Sequence, residues 1–384
     1  MNFKAAVGSA QALDGREAAI NAVHQALRQL EGAGNTALAL IFAAQELDLG
    51  AVLNGASGLL GGAPLWGMST VQPFTAAGHD SRSVVVLLIA GDDLKAQTVW
   101  IPESPTENKT AYRQLNDMLK KDGAPQLIWM GGDGVGSDCA AVLHGLPAME
   151  KTNIVGGLAS GNFSTGKTLQ ICGNQIGSGG CALMLLNTPL RIGVGMAHGW
   201  QPVGRYFPVN RVNQCWLRTL GSQTPAEVYS EVFGGSPHEW TQPPLSTLLR
   251  MYPLEIEEEG TVQRMVRSPI LAEADGSFRF NADIPNHSTA HLLTASMDTC
   301  LGAVQSAVNA AKATLGPAHP LFAVVFADTA WQLIFETHPG AEIEALSDAL
   351  GDIPLAGAYT LGQIGGTPPQ LYNQHIQVVL FGVE

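Results

Sequence analysis

Long uninterrupted apolar runs such as VVVLLIA recur along the chain. They suit strands buried on both faces, and the helical stretches between them imply parallel crossovers. Laid over one another, three segments repeat the order strand, loop, helix, short strand, Gly-rich turn and closing strand. The first runs from TALALIFAA through LGAVLNGASGLL and APLWGMSTVQPF to SRSVVVLLIAG. The second runs from PQLIWMGGDG through CAAVLHGL and TNIVGGLASGNF to GGCALMLLN. The third runs from PLFAVVFAD through EIEALSDALG and IPLAGAYTLGQI to IQVVLFGVE. The expected fold class is α/β, made of repeated mixed-sheet units with helices packed on the sheets and each closing strand returning antiparallel.

A different, β-rich segment separates the second and third units, from 191 to about 317. RIGVGMAHGWQPVGRYFPVNRV alternates like a strand pair around a turn, and TPAEVYSEVFG predicts a helix with Thr224 as N-cap and Pro225 at its first position. SPHEWTQPPLS reads as an irregular Pro-rich loop. YPLEIEE, QRMVRSPILAE and GSFRFNADIPNHSTAHLLTAS read as short strands, followed by a long helix near Met297–Leu315. Two domains are expected, 1–218 with two repeat units and 219–384 with the β-rich segment and the third unit. Ligands in layered α/β folds bind beyond the carboxyl ends of strands. The loops after Phe42, Met130 and Phe326, with the Gly-rich turns at 67–70, 157–160 and 357–360, are therefore the expected ligand side.

Composition narrows the function. The formal charge is −13 and the 20 Lys and Arg are scattered, which argues against nucleic acid or an anionic membrane surface as the main partner. No apolar run reaches the roughly 18 residues of a membrane span, so no membrane insertion is expected. MNFKAAVGSAQALDGREAA lacks the charged and apolar regions of a signal peptide, and a cytoplasmic protein is expected. The five cysteines sit at no metal-binding or redox spacing and read as reduced thiols.

Several stretches resemble the FIST family in their order and spacing. They are LIFAAQELDLGAVL, PLWGMST and VVVLLIAGDDL in the first half, then HGWQPVGRYFPVNRV, TPAEVYSEVFG, RSPI, FNADIPNHS, LFAVVFAD, PLAGAYTLGQIGG and YNQHIQVV. The resemblance implies a sensory protein that binds a small ligand and regulates a signalling partner such as a histidine kinase or a cyclic-di-GMP enzyme. One branch of the family is similar to haem proteins that sense nitric oxide, which makes haem a candidate cofactor. Two positions depart from the family pattern, Ala327 where many members carry Cys, and Gln363 after Gly362 where Glu is frequent. Both changes leave a more neutral pocket.

The expected pocket lies between the halves, lined by the unit-ending loops and HGWQPVGRY, which brings in His198, Trp200 and Arg205. His198 ends an apolar run, where a neutral imidazole suits haem iron or a ring satisfied by nearby backbone groups. His24 and His144 fall in amphipathic helices. Arg205, Arg211 and Arg267 offer a guanidinium fork for a ligand carboxylate or haem propionate, with an ordinary ion pair as the alternative. Tyr359, Gln363, Tyr372 and Asn373 supply donors and acceptors that suit binding rather than proton transfer, or simply fix turns.

Two further motifs carry rival readings. GNFSTGKT at 161–168 matches a nucleotide phosphate loop, whose chemistry requires a helix directly after the lysine; the sequence there reads as a strand. A nucleotide-binding enzyme is the third reading on that motif alone. GGDGVGSD at 131–138 follows a strand and precedes a helix, as an anion-binding nest or as a tight turn capped by Ser137 or Asp138. No nucleophile, base and orienting group assemble from local sequence, so a non-enzymatic role is preferred.

Overall fold

The structure is a computed structural model. It describes residues 3–384 except 33–34, 92, 103–104, 136–138, 148, 162–167, 259 and 261–263, and leaves the side chains of 105–108 undescribed. The first unit comprises β1 (Lys4–Gln11), α1 (Gly15–Gln29), β2 (Thr36–Ala44), α2 (Leu49–Ser57), β3 (Leu65–Thr70), the hairpin β4 (Pro73–Thr75) and β5 (Gly78–His79), and β6 (Ser83–Ala90). The second comprises β7 (Lys95–Pro102), α3 (Pro105–Asp122), β8 (Leu127–Asp133), α4 (Cys139–Gly145), β9 (Asn153–Ala159), the hairpin β10 (Gln170–Cys172) and β11 (Gln175–Gly177), and β12 (Gly180–Asn187).

After β13 (Arg191–Ala197) comes the β-rich segment. It contains β14 (Gln201–Asn213), β15 (Trp216–Leu220), α5 (Pro225–Phe233), α6 (Leu245–Leu248), β16 (Leu254–Glu257), β17 (Arg264–Arg267), β18 (Pro269–Ala272), β19 (Phe278–Phe280) and β20 (Thr289–Thr294). The third unit resumes with α7 (Met297–Leu315), β21 (His319–Asp328), α8 (Ala330–Ile334), α9 (Ala341–Leu350), β22 (Leu355–Thr360), the hairpin β23 (Gln363–Gly365) and β24 (Gln370–Tyr372), and β25 (Ile376–Val383).

The repeat holds, and it is larger than the apolar runs indicate. In every unit the first two strands of the run pair in parallel (β2 with β3, β8 with β9, β21 with β22), and the closing strand returns antiparallel beside the first. Each closing strand is flanked in turn by an earlier strand, β1, β7 or β13. These outer strands escape the overlay because they are partly exposed and alternate, as KAQTVWIP does with its pattern eieiBiBi.

The hairpins pass between units in a ring. β4 pairs with β22 of the third unit, β10 with β3 of the first, and β23 with β9 of the second. Each sheet is thus completed by strands from another unit. The segments 67–70, 157–160 and 357–360, expected as turns, are instead the buried ends of β3, β9 and β22 or directly continue them. Their glycines serve close approach, since a Cβ on Gly67 would lie 1.9 Å from the Ile41 carbonyl oxygen and one on Gly157 2.9 Å from that of Gly362. The first strands also run two or three residues past Phe42, Met130 and Phe326, to Ala44, Asp133 and Asp328.

Between the sheets lies an aromatic centre drawn from all three units. Phe42 stands 5.8 Å from Phe326, and Trp129 stands 5.9 Å from Trp66 and 6.0 Å from Phe326. Tilted and edge-on pairs of this kind add about 0.5–1.5 kcal/mol each beyond area burial.

The β-rich segment closes on itself as a barrel, in the order β17-β16-β20-β14-β15-β19-β18. β17 and β18 are consecutive in sequence, so a single strand bent at Ser268 seals both ends of the sheet. Pro269 explains the bend, because it has no N–H for the ladder and the register shifts beside it. β13 and β14 do not form the strand pair expected of them; β13 joins the third sheet and β14 the barrel. The Pro-rich loop contains short helical turns at Glu239–Thr241 and Leu245–Leu248. α5 has the expected cap, with Thr224 and Glu227 forming a reciprocal capping box. Among the described residues, no helix is long and apolar enough to cross a membrane.

One buried ion pair fastens the barrel to the third unit. Arg250 donates from Nη2 to Asp328 Oδ1 at 2.6 Å and from Nη1 to the Thr329 hydroxyl. Asp328 is fully buried and also accepts from the N–H groups of Ala330 at 3.0 Å and Gln374 at 2.9 Å. Asp328→Ala leaves the guanidinium without its counter-charge in the interior and is expected to destabilise the protein by about 3–5 kcal/mol in denaturant unfolding. Arg205→Ala, which removes an exposed pair with Glu231, is expected to change stability by less than about 1 kcal/mol. Equal effects from the two substitutions would contradict this assignment.

Candidate functional site

Asp328 and Asp133 occupy equivalent strand ends and act alike. Asp133 accepts from the N–H of Val135, two residues on, and from that of Gly179 ahead of β12. Asp328 accepts from Ala330, two residues on, and from Gln374 ahead of β25. Both carboxylates therefore fix the entry of a closing strand. The Thr168 hydroxyl donates to Asp133 Oδ1 at 2.6 Å and accepts from the Gly134 N–H. Strand β10 follows at Gln170, where the phosphate-loop motif requires a helix. Asn162, Ser164, Lys167 and the rest of 162–167 lie outside the described residues, as do Ser137 and Asp138 of the second glycine-rich motif.

Around Gln374 the stretch Tyr372–Asn373–Gln374–His375 meets the bend of the barrel strand. Gln374 adopts a left-handed conformation, φ 67°, held by four hydrogen bonds. Its N–H donates to Asp328, its side-chain amide donates to the Arg250 carbonyl at 2.7 Å and Ser268 Oγ at 2.8 Å, and its carbonyl accepts from the Trp331 indole. Asn373 accepts from the Ser268 N–H at 3.4 Å and donates to the Leu361 carbonyl at 2.9 Å. Gln363 accepts from the His375 N–H and donates to Thr360 Oγ1, both at 3.0 Å. Ala327, at the position of the family cysteine, is buried, and its carbonyl accepts from Thr360.

His198, in the turn between β13 and β14, packs its ring edge-on against His375 with centroids 4.8 Å apart. His375 Nδ1 donates to the Asn373 carbonyl at 2.7 Å, which makes Nδ1 the protonated nitrogen of a neutral ring. Burial, reinforced by His198 and Arg267, pushes His375 down to about 3, against the pull of that hydrogen bond. Burial also lowers His198, opposed by the Glu255 carboxylate and the Trp200 backbone. His198 Nδ1 is buried and has no hydrogen-bond partner. Among the described residues, no group of three or more His, Cys, Asp and Glu is placed to hold a metal ion.

Arg267 lies on the same bent strand and is 6 % exposed. It donates to the carbonyls of Leu371 at 2.9 Å and Asp283 at 3.3 Å, and burial pushes it down to about 10 against the pull of Tyr372 and Asp283. Its outer side faces a cleft of about 530 Å³. One wall of the cleft is α4, with Ala140, Ala141 and His144. The opposite wall is the barrel, with Gln214, Met265, Asp283 and Asn286, and hairpin β23–β24 supplies Gln370 and Leu371.

The fold thus brings together His198, Arg267, Gln363 and Asn373 of the expected site and sets the others apart. Trp200 is core, its indole donating to the Met251 carbonyl and its ring 6.1 Å from Trp331. Arg205 is exposed, paired with Glu231 and lying over the Phe207 ring, and Arg211 and His24 are exposed as well. Tyr359 is fully buried near Phe74 and His79, with its hydroxyl donating to the buried Glu342, and burial raises both side chains above their ordinary values. Arg250, Asp328, Gln374 and His375 were not singled out by sequence. Their signals are an acid closing the apolar run LFAVVFAD and four polar residues directly before the buried strand IQVVLFGV.

Profile comparison settles the family. The FIST N domain matches residues 37–223 and the FIST C domain residues 225–366, together spanning most of the chain. The protein belongs to the FIST family. FIST domains are sensory domains that bind small ligands in signalling proteins. The FIST N match takes in the first two units from β2 onward with β13 to β15, and the FIST C match runs from α5 to the β23–β24 hairpin. A search of curated proteins found no match. Among solved structures, PurLQS from Thermotoga maritima aligns with 99% of this chain and 72% of its own at 9% identity, with a TM-score of 0.24, and that likeness carries no argument.

In this FIST protein the paired histidines generate a pH dependence. An imidazole held below its unfolded value of 6.5 binds protons less readily in the folded chain, so stability is full above about pH 6.5 and falls as pH drops towards about 3. His375→Gln is expected to flatten the loss of urea stability between about pH 6.5 and 4. A variant with the wild-type pH slope would place that dependence on other groups.

Proposed function

We propose that the chain binds a small polar ligand in the cleft between the second unit and the barrel, and that the ligand biases the arrangement of these bodies read by a signalling partner. The buried guanidinium of Arg267 on the wall of the 530 Å³ cleft carries this reading. Its Nε and Nη1 donors are held by the carbonyls of Asp283, Val266 and Leu371 and one Nη2 hydrogen by Met265 Sδ, so the charge and the remaining Nη2 hydrogen are what it offers a ligand carboxylate. Glu258 and Asp283 also line the cleft and offset a second ligand anion, so one carboxylate on an otherwise neutral or polar molecule matches best.

Several features support a signalling role. α4 and the β23–β24 hairpin belong to the three-unit body and the opposite wall to the barrel, so a ligand touching both favours the arrangement in which they converge. The Arg267 charge acts on His375, and its chain neighbour Ser268 accepts from Gln374, which connects the strand lining the cleft to the Arg250–Asp328 fastening. The partner is a histidine kinase or a cyclic-di-GMP enzyme.

The test is a thermal-shift screen with short mono- and dicarboxylates, followed by calorimetry. At least one carboxylate is expected to bind, with affinity falling about 5- to 50-fold in Asn286→Ala or Gln214→Ala, as when one or two hydrogen bonds are lost. The bound carboxylate is expected to change autophosphorylation or cyclase output of the partner relative to free protein. Binding untouched by either substitution, or a partner indifferent to ligand, would overturn the proposal.

A further inference from the structure

Cys139 and Cys181 are 42 residues apart in sequence, yet their Sγ atoms lie 3.4 Å apart, with Cys181 donating to Cys139. Cys139 is the first residue of α4, and Cys181 is the second residue of β12. The approach is built into the sheet. Cys181 sits directly opposite Gly132 of β8, and directly opposed residues of an antiparallel pair share a face. A Cβ on Gly132 would stand 2.2 Å from Cys139 Sγ. The missing side chain at 132 is therefore the space through which the α4 thiol reaches the β12 thiol. Among the described residues, Cys172, Cys215 and Cys300 make no hydrogen bond to another sulfur.

We propose that Cys139 and Cys181 form an oxidisable dithiol, a modification site that a hydroperoxide converts to a disulfide tying α4 to β12. In the first step a Cys139 thiolate attacks a peroxide oxygen and the O–O bond breaks. With hydrogen peroxide this gives a sulfenic acid and one water. Cys181 sulfur then attacks the sulfenic sulfur, the S–S bond forms, the S–O bond breaks, and a second water leaves with the remaining thiol proton. Two electrons pass from the two sulfurs to the peroxide, and the protein loses two hydrogens. The sulfurs must close by roughly 1.4 Å to reach the bond length of about 2.05 Å. Because Ala140, Ala141 and His144 of the same helix line the cleft, this closure acts directly beneath its wall. Disulfides that form transiently in reducing compartments are characteristically redox-sensing.

The test treats native full-length protein with hydrogen peroxide, alkylates it under denaturing conditions and maps the peptides by mass spectrometry. A single crosslink between the Cys139 and Cys181 peptides is expected, two hydrogens lighter and reversed by dithiothreitol, with the other three cysteines alkylated. In Cys181→Ser the crosslink is expected to vanish and Cys139 to accumulate a sulfenic acid that dimedone traps. Circular dichroism checks that the variant is folded, and the wild-type map needs no variant. Full alkylation of all five cysteines after peroxide, or overoxidation of Cys139 without a crosslink, would overturn the proposal.

Discussion

The carbonyl of Tyr359 accepts hydrogen bonds from Thr70 Oγ1 at 2.7 Å and from Ser160 Oγ at 2.6 Å, so one atom of the third unit is held by the first and the second. The backbone repeats this dependence around the centre. Ser160 donates its N–H to Ser69, Leu361 donates to Leu158, and Tyr359 donates to Gln72. Each strand end is buried there, and a buried peptide group without a partner costs about 1–3 kcal/mol. No unit can leave without stranding the polar groups of the next, and no sheet is complete without a borrowed hairpin. The three units therefore behave as one body, although each has its own helices and parallel crossover.

That closed arrangement leaves the barrel as the separable part. It is tied to the third unit by Arg250 and Asp328, by Gln374 reaching Ser268, and by Arg267 capping the Leu371 carbonyl. Its other flank stands across a cleft from α4 of the second unit. On that flank the barrel meets the second unit through Ala282 in the α4 core and a long Arg279–Val135 hydrogen bond beside the cleft, a lighter attachment suited to respond to something placed in the gap. The buried charge and the two neutral imidazoles sit where the fixed side meets the open one. A group whose charge state is set by burial is sensitive to small changes in packing.

Apolar runs and their order made the three α/β units legible, because a strand buried on both faces must be nearly all apolar. The parallel and antiparallel pairings followed from crossovers long enough to hold a helix. The ring of exchanged hairpins was not legible, since PFT, QIC and QIG are too short to declare which sheet they join. The same holds for the barrel. Nothing local says that β14 leaves β13 for another sheet, whereas the bend at Arg267–Ser268–Pro269 is readable once Pro269 is seen to interrupt a strand. Of the expected site, Arg267, Asn373, Gln363 and His198 converge because each flanks a junction between bodies. Trp200 and Tyr359 went inward as large side chains usually do, and Arg205 found a surface acid. Contacts between residues far apart in sequence, such as His198 with His375 and Cys139 with Cys181, carry no spacing signal.

Hydrogen–deuterium exchange of the native protein with and without a bound carboxylate tests the cleft most directly. The account predicts slowed exchange confined to α4, the 282–286 segment and the β23–β24 hairpin, where ligand holds the barrel against the three-unit body. Slowed exchange that avoids those segments and appears at the opposite ends of the sheets would contradict it.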